Sequence, residues 1–247
     1  TLKKNMIKDL KLAVLIDGDN IPSKYIKEMM EEITKYGTPT IKRIYGDWTK
    51  PHLTKWKNIL LENAITPIQQ YAYTIGKNAT DSAMIIDAMD ILYSKNVDGF
   101  CLVSSDSDFT KLATRLREAG MQVYGIGEKK TPNPFIVACD KFIYLEILET
   151  FDEKQDPKGA SKKDSLDKIT PNIIRLLKQS VKDAADEDGW AFLGDVGSLI
   201  IKKQPNFDSR NFGFEKLTKL FNSLDQFEIE QRDQVNKRFK LIYVRNK

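Results

Sequence analysis

Histidine is nearly absent from this chain, whose 247 residues include one, His52. A Ser-His-Asp arrangement would have to use it, yet it follows Pro51 close to an expected helix start. Cysteine is almost as scarce. The two present, Cys101 and Cys139, each sit inside an apolar run. With one histidine and two distant cysteines there is no zinc-finger spacing and no disulfide framework. Both cysteines read as small buried hydrophobes in a reducing compartment. Any resident metal must be held mainly by oxygen, which favours Mg²⁺ or Mn²⁺. Long apolar runs are also missing, for none reaches the roughly 18 residues of a membrane span. Thr1–Lys11 is basic and polar, with no apolar signal-peptide core after it. The expectation is a cytoplasmic protein without membrane contact. There is no internal repeat and no low-complexity tract.

What is present suits a globular fold. Hydrophobic residues make up 41% and charged residues 30%, enough for a core in each half. The length exceeds that of a usual single domain, so two are expected. The net charge of +4 is unevenly spread: residues 1–155 hold 21 Lys+Arg and 21 Asp+Glu, whereas residues 156–247 hold 18 and 14. A basic excess confined to the second part points to a polyanion there, with random surface charge as the plain alternative.

Up to residue 148, strand-like and helix-like segments alternate. Leu12–Ile16, Thr40–Tyr45, Ile65–Tyr71, Gly99–Val103, Gln122–Ile126 and Phe142–Leu145 read as strands. Pro22–Tyr36, Leu53–Glu62, Thr80–Ser94, Phe109–Ala119 and Pro134–Cys139 read as helices. This alternation predicts an α/β fold, a doubly wound and mostly parallel sheet with helices on both faces. Asp152–Asp167 is polar, with Pro157 and Gly159. We read residues 11–148 as one domain, 149–165 as a linker and 166–247 as a second domain. In the second, Thr170–Ala185, Leu193–Lys203 and Asn211–Leu224 look helical, and Phe227–Gln231 and Arg238–Val244 look like strands. Three helices and a hairpin predict a small winged-helix-like α+β domain.

The first strand runs into Asp17-Gly18-Asp19-Asn20, and the fourth into Ser104-Ser105-Asp106-Ser107-Asp108. Open α/β sheets bind ligands at the carboxyl ends of their strands, and both acidic clusters fall on that edge. Asp81 opens the Thr80–Ser94 helix. At about 100° per residue it shares a face with Met84, Ile85, Ala88 and Leu92, so it points toward the sheet at the helix start. Asp87 falls at the flank and Asp90 on the solvent side. Asp17, Asp81, Asp106 and Asp108 are therefore expected to converge. Close carboxylates repel and raise one another's pKa, a penalty that a divalent cation removes while activating water against a phosphodiester. Plainer readings stand beside this one. Asp19 and Asn20 fit a turn before Pro22, Asp81 fits the helix dipole behind a Thr80 cap, and Asp108 fits a helix cap at Phe109.

These residues resemble a known family. Ile16–Asn20, the Thr80-Asp81 helix start, Val103–Phe109 and Ala138-Cys139-Asp140-Lys141-Phe142 are similar to the motifs of NYN domains, which are PIN-like ribonucleases. The resemblance covers roughly residues 11–148. It implies that Asp17, Asp81, Asp106 and Asp108 bind Mg²⁺ or Mn²⁺ and that Asn20 belongs to the site. Asp19 and Ser105 depart mildly from the usual pattern. Gly189–Gly197 and Pro205–Phe214 resemble an OST-HTH (LOTUS) domain over roughly residues 166–246, a family associated with RNA and with protein partners. Lys202, Lys203, Arg210, Lys216 and Lys219 on its helices, with Lys237 and Arg238 at the hairpin, are the candidate nucleic-acid contacts. Phe207, Phe212, Phe214 and Trp190 read as core. In the first domain Lys42, Arg43, Lys50, Lys55, Lys57 and Lys77 are candidates to border the cleft, with a solvated surface as the default.

The resulting expectation is a metal-dependent endoribonuclease acting on single-stranded or structured RNA. Two alternatives stay open: a HAD-like phosphatase using Asp17 and Asp19, and a catalytically silent RNA-binding adaptor. The choice of RNA or DNA and the oligomeric state are open too.

Overall fold

Leu12 to Ile16 is an unbroken apolar run, and it forms the centre of strand β1 (Lys11–Asp17), buried from Leu12 through Asp17. The computed structural model describes residues 9–71, 79–152, 166–233 and 240–247. Five more strands flank β1: β2 (Thr38–Gly46), β3 (Thr66–Gln69), β4 (Gly99–Val103), β5 (Gln122–Gly127) and β6 (Lys141–Tyr144). All pairings are parallel, in the order β3-β2-β1-β4-β5-β6. Parallel strands covered on both faces need apolar side chains on both. That accounts for the complete burial of Gly99–Val103 as well as of the β1 run.

The crossovers supply helices α1 (Ile26–Ile33), α2 (Trp56–Glu62), α3 (Ala79–Ser94), α4 (Thr110–Glu118), α5 (Asn133–Ala138) and α6 (Leu145–Asp152). The strand order reverses between β1 and β4. Such a reversal opens a crevice at the carboxyl ends of the two strands, because the loops leave in opposite directions. The buried ring of Phe135 packs edge-on to Phe142 and tilted against Phe109. The α/β expectation is met. One difference is α6, which continues past residue 148 into the stretch read as polar linker; residues 153–165 lie outside the described residues.

The chain divides into two compact units, Thr1–Glu149 and Thr150–Lys247. The second has its own core around Leu177, Val181, Val196, Ile200, Leu220, Phe221 and Val244. Thr170 caps helix α7 (Pro171–Ala184) through its side-chain oxygen, and Pro171 occupies the first turn, where its missing N–H costs nothing. Strand β7 (Ala191–Phe192), helices α8 (Leu193–Lys203) and α9 (Leu217–Asn222), and strands β8 (Phe227–Asp233) and β9 (Lys240–Asn246) follow. The antiparallel sheet has the order β7-β9-β8.

The expected third helix, Asn211–Leu224, is split. A 3-10 turn at Ser209–Phe212 ends on Gly213, whose φ of 83° is left-handed, and α9 restarts only at Leu217. A helix cannot run through such a residue. Trp190 also departs from expectation. It stays outside the core cluster, half-buried, with the guanidinium groups of Arg232 and Arg245 over its ring at 5.3 and 4.7 Å. Those strand arginines offer the ring a partly solvated stacking partner in place of core packing.

Candidate metal centre

Strand register brings the two acidic loops together. Ile16 pairs with Val103, so Asp17 and Ser104 leave neighbouring strands at the same level. Ser104 donates from its hydroxyl to Asp17 Oδ2 at 2.8 Å, and the Asn20 amide donates to the same oxygen at 2.8 Å. The backbone N–H of Asp106 in turn donates to Ser104 Oγ at 3.1 Å. Asp17 is 1% exposed, and its other oxygen, Oδ1, is buried with no hydrogen-bond donor. A buried carboxylate oxygen left in this state is costly unless something cationic meets it. Burial pushes the Asp17 carboxyl above its ordinary pKa, against the opposing pull of the Asn20 and Ser104 hydrogen bonds.

Asp106 caps the 3-10 turn Ser107–Phe109, accepting from the Asp108 N–H at 2.9 Å. The capping role read for Asp108 therefore belongs to Asp106, while Asp108 sits exposed in the turn. Asp81 lies in the first turn of α3, 9% exposed. One carboxylate oxygen from each of Asp81, Asp106 and Asp108 lies within 4.8 Å of the others. Asp81 is pushed up to about 6, first by burial and then by the charges of Asp17, Asp106, Asp108 and Asp19. Four surrounding carboxylates thus make the last proton hard to remove, and a divalent cation at this point would remove that repulsion.

The predicted residues separate accordingly. Asp81, Asp106 and Asp108 form the tight triad. Asp17 stands beside it, outside the 4.8 Å set, joined through Ser104. Asn20 orients Asp17. Asp19 accepts from Thr80 Oγ1 at 3.0 Å and has Lys50 Nζ at 3.9 Å, so it ties the first loop to the α3 start. Asp87 is bound by Arg43 and by the buried Tyr45 hydroxyl. Asp90 faces solvent. Ser104 is the residue the sequence reading missed. A hydroxyl directly after an apolar strand, two residues before an aspartate, was the available signal. A donor set made wholly of oxygen, an unmatched buried carboxylate and a repulsive cluster together fit a hard divalent cation.

The candidate nucleic-acid residues of the second unit divide in a similar way. Lys203 pairs with Asp183 at 2.6 Å and Lys219 with Glu215 at 2.7 Å. Arg210 makes a forked contact with Asp208 at 3.0 and 2.8 Å, with both side chains mostly buried. Arg210 thus braces the Asp208 turn. Lys202 and Lys216 are exposed without an ion pair among the described residues. Lys237 and Arg238 lie outside the described residues.

A doubly wound domain with an acidic crevice at its strand reversal, followed by a winged-helix-like unit, defines the class of protein. Residues 11–146 match the NYN domain, just over half of the chain, which therefore belongs to that family. Residues 164–239 match the OST-HTH/LOTUS domain. NYN membership implies a PIN-like nuclease, and the LOTUS match implies an RNA-binding module. An uncharacterised protein of Methanocaldococcus jannaschii is 26% identical over 121 residues, and the match spans 47% of each chain. The chain thus aligns with about half the length of that relative. Two solved structures are also similar. One is the solution structure of an uncharacterised protein of Nitrosomonas europaea, 30% identical over 38% of this chain and 90% of that one, with a TM-score of 0.31. The other is a crystal structure of a protein of unknown function from Vibrio parahaemolyticus, 21% identical over 54% of this chain and 91% of that one, with a TM-score of 0.46.

Proposed function

We propose that this protein is a metal-dependent endoribonuclease that hydrolyses RNA phosphodiester bonds at the aspartate cluster, with the C-terminal unit supplying affinity for RNA. The observation that carries the reading is the approach of Asp81, Asp106 and Asp108 oxygens to within 4.8 Å beside the unmatched buried Asp17 oxygen. Asp81, Asp106 and Asp108 would hold Mg²⁺ or Mn²⁺, with Asp17 completing the negative field. Bound there, such a cation would supply Lewis-acid polarisation of the phosphodiester and lower the pKa of an attacking water. The chain's own work is positional. Ser104 and Asn20 fix Asp17, the Asp108 N–H fixes Asp106, and the Asp19–Thr80 contact fixes the start of α3. The buried, unpaired cysteines Cys101 and Cys139 support a reducing, cytoplasmic setting, and no described helix is long and apolar enough to cross a membrane.

The phosphatase alternative needs Asp17 as an accessible nucleophile. At 1% exposure, with Oδ2 already accepting two hydrogen bonds, Asp17 is ill suited to that role. The silent-adaptor alternative is separated by experiment. A labelled RNA is incubated with the protein in Mg²⁺ or Mn²⁺, in EDTA, and with Asp106→Asn. We expect internal cleavage in either metal, none in EDTA, and at least a hundredfold slower cleavage by the variant, of the order seen when a charge-stabilising group is removed. Robust cleavage by Asp106→Asn would sink the assignment. RNA binding without cleavage in Mn²⁺ would favour the adaptor.

A further inference from the structure

Along the edge strand β3, two strands from β1 in the sheet, lies an apolar groove of about 570 Å³. Trp48, Leu53, Leu60, Leu61 and Pro67 form its walls, and Lys57 stands at its rim. This volume falls within the range of small-molecule sites. The groove runs along the edge strand β3, from Trp48, just after β2, and Gln69 at the end of β3 to Leu60, Leu61 and Ile65, which precede β3. One of its walls, Leu53, lies near Asp19 in the first acidic loop. A methyl group placed on Gly46 would meet Leu53 Cδ1 at 2.7 Å and Asp19 Oδ1 at 3.9 Å.

Trp48 is held as a rigid wall. Its indole N–H donates to the Ile68 carbonyl at 3.0 Å, and its backbone N–H donates to Gln69 Oε1 at 2.9 Å. Gln69 in turn donates to Asp47 Oδ1 at 3.1 Å, and Asp47 is buried. Leu61, 78% exposed, lines the open side of the groove. Lys57 is exposed and makes no ion pair among the described residues, and Lys50 Nζ lies 3.9 Å from Asp19 Oδ1.

Resting on the nuclease reading, we propose that this groove is a nucleobase subsite for the RNA strand threaded through the acidic centre. A single strand alternates an apolar, stackable base with an anionic phosphate. The groove matches that alternation with a fixed indole and leucines for the base, and Lys57 and Lys50 for the flanking phosphates. Base recognition by an aromatic wall tolerates sequence, because every base has a π-face. The subsite would set which nucleotide rests next to the scissile phosphate.

The test uses the full chain carrying Trp190→Phe, so that Trp48 is the reporting indole beside the buried Trp56. A short single-stranded oligoadenylate with a 5′ fluorescein is followed in Mg²⁺ by stopped-flow indole fluorescence and by anisotropy of the label, so binding is read before any cleavage, and in Trp48→Ala as well as in the parent. Abasic residues are then walked along the oligonucleotide. We expect quenching on binding, and one position at which loss of the base weakens binding roughly tenfold in the parent but not in Trp48→Ala. Lys57→Glu and Leu61→Glu, both at exposed positions, are expected to weaken binding with the fold intact by circular dichroism. Equal abasic effects in the parent and Trp48→Ala, together with unaltered binding by the two surface variants, would overturn the subsite. So would conversion of a dimer to a monomer by Leu61→Glu with RNA binding unchanged, because the occupant would then be a second copy. Position-specific coupling without metal-dependent cleavage would keep the subsite and reject the nuclease reading. Cleavage without coupling would reject the subsite alone.

Discussion

Asp81 shows how a single side chain records the purpose of its surroundings. Its carboxyl is held near pH 6 by burial and by four neighbouring acids, against an ordinary 3.8. The folded chain therefore binds this proton more tightly than the unfolded chain. Its contribution to stability is most favourable below pH 3.8, falls as the pH rises, and levels off above about 6. Asp81→Asn should accordingly stabilise the metal-free protein at pH 7, by at most about 3 kcal/mol for a shift of this size. The gain should fade between pH 6 and pH 4 in thermal melts. In Mn²⁺ the order should reverse. The parent gains stability by mass action of the bound ion, and the variant gains little. An unchanged melting temperature for the parent in millimolar Mn²⁺ would count against the site. The inward direction of Asp81 was legible from helical spacing alone. The Ser104 bridge was not, because it depends on two strands meeting in register 87 residues apart.

Helix α3 is the element that sets this site, and its anchor lies away from the chemistry. Asp87, near its middle, accepts from Arg43 and from the Tyr45 hydroxyl, both on β2. The ion pair raises the Arg43 pKa, and the Tyr45 hydroxyl is raised above its ordinary value by burial and then by Asp87. Asp87→Ala leaves the buried Tyr45 hydroxyl without its acceptor and the partly exposed Arg43 without its ion pair, a loss of about 1–3 kcal/mol. We expect a lower denaturation midpoint and slower cleavage with nearly unchanged RNA affinity, since the first turn of α3 would lose its register. Full activity in Asp87→Ala would argue that α3 is held by packing alone. In the second unit, periodicity predicts one helix over Asn211–Leu224, whereas the chain forms a 3-10 turn and then the shorter α9. Apolar periodicity continues through Gly213, but backbone geometry does not, as its φ of 83° shows. A Gly213→Val variant should destabilise that unit, because a β-branched residue is strained there, as read by its own melting transition.

At the scale of the molecule, charge is divided between the two units. The first is neutral up to residue 155, and the basic excess follows it. A truncated chain ending after Glu149 should retain metal-dependent cleavage but bind RNA more weakly. Its affinity should also fall less steeply with salt, since fewer phosphates are neutralised. An identical salt slope for the full and truncated chains would show that the second unit contacts no phosphate. Three of the cations predicted there, Lys203, Arg210 and Lys219, already have carboxylate partners. The two lysine pairs are exposed and weak enough for a phosphate to displace. The forked Arg210–Asp208 pair, mostly buried, is expected to stay.

Local order was written in the chain itself. Apolar runs of strand length, helical periodicity and acids at strand ends are one-dimensional patterns, and they determined the α/β class, the two-part organisation and the edge that bears the carboxylates. Distances between residues far apart in sequence follow from strand register and loop path, which no pattern encodes. Only the tertiary structure decided that Asp81, Asp106 and Asp108 form the close set while Asp17 stands beside it. It likewise decided that Trp190 lies under arginines and that Trp48 walls a groove. The physical reason is that burial preference acts residue by residue, whereas a site is a relation among side chains whose separation is fixed when the sheet closes.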